Sequence, residues 1–185
     1  MITDTPIKSP IDPKAPRLRR TSSRMETVEE DNKDLSEFSV LIVEDNPINM
    51  RMLEACAKKT KCKYNTAFDG QEAIMKYKAR QPNGPSIVLL DISLPLMDGF
   101  EACKAMRSHT LTLKENKGRV VIPRIVAITA LSSPQDIESG LAMGMDEWRV
   151  KPAALPKLTA DLLRWQKEWQ ESSLSNETTN EISHT

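Results

Sequence analysis

The chain has 185 residues, 39% of them hydrophobic, with 26 basic side chains balanced by 26 acidic ones. That is enough for one core of ordinary size, while the balanced charge gives no electrostatic argument for direct nucleic-acid binding. No apolar run approaches the ~18 residues of a membrane helix, and the first residues lack the basic-then-apolar pattern of an export signal, so the expectation is a cytoplasmic protein without membrane contact. Cys56, Cys62 and Cys103 form no Cys-x-x-Cys pair and cannot all pair internally, which fits a reducing compartment. The two histidines, His109 and His184, stand apart from the cysteines, which argues against a soft-metal site.

Residues 1–36 carry prolines, charges and hydroxyls but few large apolar side chains, too few to offset the entropy of ordering; a disordered tail is expected. Within it Arg17–Arg24 reads as a kinase substrate motif, a nuclear import patch adding a nuclear location, or a solvated charge run. The expected domain spans residues 37–169. Val40–Val43 is a short apolar run ending on Glu44-Asp45. Asn46 then caps a helix with Pro47 at its first position, and inward placement of Ile48, Met52, Leu53 and Cys56 leaves Pro47, Met50, Arg51 and Glu54 facing out. A strand over Lys63–Ala67 precedes a helix over 71–79, capped by Asp69 and broken at Gln81-Pro82-Asn83-Gly84-Pro85. Ile87–Leu90 ends on Asp91, and a helix over 100–107 follows the Asp98-Gly99 turn. Residues 108–122 read as a long polar insertion. Ile125–Ile128 ends on Thr129, and Ser133-Pro134-Gln135-Asp136 has the form of a capping box. Trp148–Val150 leads to Lys151-Pro152, and a last helix over 156–169 carries Leu158, Leu162, Trp165 and Trp169 on one stripe. A second disordered tail is expected over residues 170–185.

Strands alternate with helices five times, and continuous apolar runs mark strands buried on both faces. The pattern is a (βα)5, doubly wound, five-stranded parallel sheet of the α/β class. Ligands of such sheets bind beyond the carboxyl ends of the strands, so Glu44, Asp45, Asp91, Thr129 and Lys151 converge on one edge. Taken alone, Glu44-Asp45 reads equally well as acids at a helix N-terminus. Asp91 ends the most apolar strand and must be paired, solvated or bound to a cation. Three carboxylates against one lysine leave two net negative charges, and hard oxygen ligands select Mg2+.

These residues, read as Glu44-Asp45-Asn46, Leu90-Asp-Ile-Ser-Leu-Pro-Leu-Met-Asp-Gly99, Ile128-Thr-Ala130 and Val150-Lys-Pro152, resemble the receiver domain of two-component response regulators over about Ser39 to Trp165. Asn49 adds a likeness to receivers attached to eukaryotic hybrid histidine kinases. The resemblance implies a flavodoxin-like fold with strand order 2-1-3-4-5 and a phosphoacceptor in a His-to-Asp phosphorelay. Asp91 would take the phosphoryl group. Glu44, Asp45, Asp91 and the Ser93 carbonyl would bind Mg2+, and Thr129 and Lys151 would contact the phosphoryl oxygens. The lysine would be followed by a cis proline bond. Trp148 stands where the family has a switch tyrosine or phenylalanine. The expected donor is a histidine phosphotransfer protein or histidine kinase docking on Pro47 and Met50, with the signal passed to a further protein. The chain would be no enzyme beyond catalysing its own phosphoryl transfer and slow dephosphorylation. A haloacid dehalogenase-type phosphatase would need a second aspartate where Ser93 stands.

Overall fold

The computed structural model describes residues 37–117 and 120–181, giving the backbone alone for Lys117 and for residues 173–181. The tail expected over residues 1–36, with Arg17–Arg24, and residues 182–185 lie outside the described residues. Ten elements alternate along the described residues: β1 Ser39–Val43, α1 Pro47–Lys59, β2 Lys63–Ala67, α2 Gly70–Ala79, β3 Ile87–Leu90, α3 Gly99–Lys117, β4 Arg124–Thr129, α4 Pro134–Ala142, β5 Glu147–Val150 and α5 Leu155–Glu181.

The five strands form one parallel sheet in the order β2-β1-β3-β4-β5. Successive side chains of a strand point to opposite faces, and here both faces are covered. Val40, Ile42, Leu89, Val126 and Ile128 pack under α1 and α5, against Leu53, Leu162 and Trp165. Leu41, Val43, Leu90, Ile125 and Ala127 pack under α2 and α3, against Tyr77, Cys103 and Met106. Double coverage is the reason that β3 is apolar at every position, that β1 is apolar at all but its first residue, Ser39, and that both are buried throughout. The chain leaves β1 toward β2 on one side and returns as β3 on the other, so the carboxyl ends of β1 and β3 flank the crevice where the winding reverses.

Local chemistry sets the helix starts. Asn46 accepts from the backbone N–H of Ile48 and Asn49, Asp69 from that of Glu72, and Ser133 from that of Asp136, each satisfying donors a helix leaves open. α3 begins directly behind the β3 end, where a side chain at Gly99 would strike the Asp91 carbonyl and come within 2.7 Å of the Ile92 Cα. Only glycine allows that approach.

Three elements depart from the sequence reading. α3 does not stop at Arg107 but runs to Lys117, so most of the expected insertion is helix. Its inward stripe continues through Ala102, Cys103, Met106 and Thr110, and the Thr110 hydroxyl meets the Tyr77 hydroxyl of α2. α5 continues past Trp169 to Glu181; no glycine or proline interrupts residues 157–181, and Lys167–Glu171 forms an i,i+4 ion pair across the expected end. α1 is rotated in phase. Met50 is 3% exposed and lies in the core with Leu53, Cys56 and Ala57, whereas Ile48 is 68% exposed. Leu53 and Cys56 belong to both candidate stripes, and the position of α1 against β1 and α5 selects the one through Met50. Met50 is therefore core and not a docking residue, while Pro47 is exposed.

Candidate active site

Backbone hydrogen bonds that continue the sheet past its strands bring the polar strand ends into one crevice. The Asp91 N–H donates to the Val43 carbonyl at 3.0 Å, and the Lys151 N–H to the Thr129 carbonyl at 2.8 Å. The Lys151–Pro152 peptide is cis. Lys151 Nζ lies 2.6 Å from both Glu44 Oε2 and Asp91 Oδ2. The other Asp91 oxygen accepts from the N–H groups of Ile92, at 2.6 Å, and Ser93, at 3.2 Å. Glu44 Oε1 accepts from Asn49 Nδ2 at 2.9 Å. Glu44 and Asp91 are buried at 1% and 5% exposure, an arrangement that requires such partners. Burial by itself would lower the Lys151 pKa, but hydrogen bonds to Asp91 and Glu44 outweigh it and the net shift is upward.

The carboxylates of Glu44, Asp45 and Asp91 each offer an oxygen, and these oxygens lie within 4.8 Å of one another. With oxygen donors alone the cluster fits a hard divalent cation. Asp45 is exposed at its mouth, and so is Ser93. Beside the cluster, a cleft of about 390 Å³ opens between α1 and the turn before α5, walled by Met52, Leu53, Ile128, Pro152 and Leu155.

Thr129 is fully buried, and its hydroxyl accepts from the Leu131 N–H at 3.3 Å. The Leu131 carbonyl in turn accepts from the Trp148 indole N–H at 3.0 Å. Trp148 is half-buried and stacked on Phe100, with ring centroids 6.2 Å apart and an interplanar angle of 28°. The structure thus brings Glu44, Asp45, Asp91 and Lys151 into one cluster and links Thr129 to Trp148 through the Leu131 peptide. Sequence reasoning missed the Asn49–Glu44 contact. Its signal is a polar residue one turn into α1 at the edge of the buried stripe.

Acids after β1, an aspartate after β3, a hydroxyl at the end of β4 and a lysine after β5 now stand on one edge of a 2-1-3-4-5 sheet, and the sequence model of the response regulator receiver domain matches residues 40–163. The chain belongs to the response regulator receiver domain family. A relative from Saccharomyces cerevisiae, the osmolarity two-component system protein SSK1, is 32% identical over 86% of this chain and 23% of its own length. The peroxide stress-activated histidine kinase mak1 of Schizosaccharomyces pombe is 33% identical over 67% of this chain and 7% of its own length. The chain spans between 7% and 27% of the length of such curated relatives. Among solved structures, the Saccharomyces cerevisiae Ssk1 receiver domain, crystallised with the histidine phosphotransfer protein Ypd1, has a TM-score of 0.63 at 32% identity, covering 72% of this chain and 92% of that one. The receiver domain of a Pseudomonas aeruginosa sensor histidine kinase, with magnesium in its active-site cleft, has a TM-score of 0.57 at 30% identity, covering 71% of this chain and 98% of that one. No helix among the described residues of this receiver domain is long and apolar enough to cross a membrane.

Proposed function

We propose that this receiver domain is the phosphoacceptor of a His-to-Asp phosphorelay, with Asp91 as nucleophile. The observation that carries the reading is the Asp91 carboxylate itself: buried at the end of a central strand, one oxygen held by two backbone amides and the other by Lys151. The Oδ2 oxygen faces the crevice and attacks phosphorus as the P–N bond of a phosphohistidine breaks. The bonding pair returns to the imidazole nitrogen, and the ring, protonated on its other nitrogen, leaves neutral. Lys151 and the Thr129 hydroxyl offset charge on the transferring oxygens. Asp45, Asp91 and the Ser93 carbonyl, with Glu44 behind them, would hold Mg2+, which would supply the remaining positive charge. The same residues make the transfer and a slow dephosphorylation properties of the receiver itself.

The donor is a histidine phosphotransfer protein or histidine kinase, and the Ssk1 receiver crystallised with Ypd1 supports that choice. It docks over Pro47 and the exposed Ile48 at the start of α1, beside Leu155 at the start of α5. Output passes through Trp148: Thr129 drawn to new phosphoryl oxygens shifts Leu131, and the Leu131 carbonyl carries the indole with it. The phosphorylated surface then selects a downstream protein in the cytoplasm, with a nuclear location left to the Arg17–Arg24 patch. Incubation with acetyl phosphate and Mg2+ should add the mass of one phosphoryl group to the wild-type chain and none to Asp91→Asn. Equal labelling of that variant through an acid-stable bond would refute the assignment.

A further inference from the structure

Lys151 is shared between two buried carboxylates at equal 2.6 Å distances. Its place opposite Asp91 therefore depends on what holds Glu44. Glu44 Oε2 faces the lysine, and Oε1 is taken by the Asn49 amide at 2.9 Å. Asn49 is itself placed by the Asn46 cap, which accepts its backbone N–H at 3.2 Å. A line of contacts runs from the helix start to the reacting carboxylate: Asn46 to Asn49, Asn49 to Glu44, Glu44 to Lys151, Lys151 to Asp91. Both Glu44 oxygens are committed within it, and the residue is only 1% exposed, so a lost partner is costly to replace.

We propose that Asn49 is a positioning residue for phosphoryl transfer: its amide holds Glu44 in the orientation that sets Lys151 against Asp91. The proposal rests on the phosphoacceptor reading above and extends it to a side chain that touches neither the acceptor nor the lysine. Without the amide, Glu44 Oε1 is left in a cleft walled mainly by Met52, Leu53, Ile128 and Leu155. The carboxylate then turns to draw both oxygens onto Lys151 or toward a bound cation. The first movement draws the ammonium away from Asp91 and the second removes one of its two anchors, and misplacement of a catalytic group by about 1 Å costs on the order of a hundredfold in rate. Cation affinity responds differently. Asp45 and Asp91 remain in place and Glu44 gains freedom to approach the metal, so Mg2+ binding is kept or strengthened.

The test uses Asn49→Ala, Asn49→Gln and Asn49→Asp in the full chain. Asn49→Ala should lower the rate of labelling by acetyl phosphate at saturating Mg2+ roughly tenfold to a hundredfold while Mg2+ affinity, measured by calorimetry, does not weaken. Asn49→Gln keeps the donor, has the cleft to accommodate one further methylene, and should restore most of the rate. Asn49→Asp sets an acid against Glu44 and should be at least as slow as the alanine variant. The Lys151 ammonium gives a second readout that needs no phosphorylation: its 15N-detected signal should be resolved in the wild type and Asn49→Gln and broadened in Asn49→Ala. If Asp91 is not the acceptor, labelling survives in Asp91→Asn, and the ammonium signal still decides the role of Asn49. An unchanged signal and labelling rate in Asn49→Ala would overturn the proposal. So would a parallel loss of rate and Mg2+ affinity, which marks general damage to the site, or slowing seen only with a phosphohistidine protein donor, which marks a docking contact.

Discussion

Adding a single methyl group at Gly140 tests how Trp148 is held. Gly140 lies inside α4 and is its one buried residue; a Cβ there would collide with Trp148 Cζ3 and lie 2.9 Å from Cε3 and 3.1 Å from Met145 Sδ. A rigid indole cannot yield by rotating one end, so it must leave its place between α4 and Phe100. Leaving forfeits the stack on Phe100, worth about 0.5–1.5 kcal/mol, and the bond to the Leu131 carbonyl, worth about 0.5–1.5 kcal/mol. Alanine in a helix interior returns about 0.8–1 kcal/mol relative to glycine. Gly140→Ala should therefore destabilise the fold by about 1 kcal/mol or more, the lost burial of the indole adding to these terms, while exposing the ring. Chain labelled with 5-fluorotryptophan gives a separate 19F signal for each of the three tryptophans, and Trp148→Phe assigns the relevant one. In Gly140→Ala that signal should acquire the solvent isotope shift of an exposed ring, while that of Trp165, 1% exposed, should not move. A Trp148 signal unchanged from the wild type, with stability raised by the helix-propensity increment alone, would refute the reasoning.

Ile48→Glu should slow transfer from a phosphohistidine protein donor roughly tenfold or more by removing about 1.5–3 kcal/mol of apolar burial at the interface, with labelling by acetyl phosphate unaffected; equal rates with the protein donor would place docking elsewhere. Asp45→Ala should weaken Mg2+ binding measured by calorimetry, since Asp45 is the exposed acid of the cluster, and unchanged affinity would remove it from the metal site. The Lys151 pKa is raised above 10.5 in the fold, so its ionisation contributes stability in full below the unfolded value and loses it as pH rises through the native one. Thermal midpoints should fall across that alkaline range in the wild type and fall less in Lys151→Met; parallel curves would show that the lysine ion pairs do not stabilise the fold.

Much of this receiver is legible in its amino-acid sequence. A strand covered by helices on both faces must be apolar at every position, so Val40–Val43, Ile87–Leu90 and Ile125–Ile128 announce a doubly wound parallel sheet. The geometry of that sheet then sends the residues at each strand's end to a common edge, which clusters Glu44, Asp45, Asp91 and Lys151 and sets Thr129 at the end of the neighbouring strand. What depends on neighbouring faces is not written locally. α1 carries two overlapping apolar stripes that share Leu53 and Cys56, and only docking against the sheet and α5 buries Met50 and leaves Ile48 in solvent. Residues 108–117 are polar enough to read as a loop, yet the stripe that packs on Tyr77 keeps them helical. The Asn49 amide on Glu44 and the Trp148 ring over Gly140 join residues whose pairing no periodicity encodes. Those contacts exist because α1 and α4 settle at particular depths on the sheet, and it is the packing of the whole core that sets those depths.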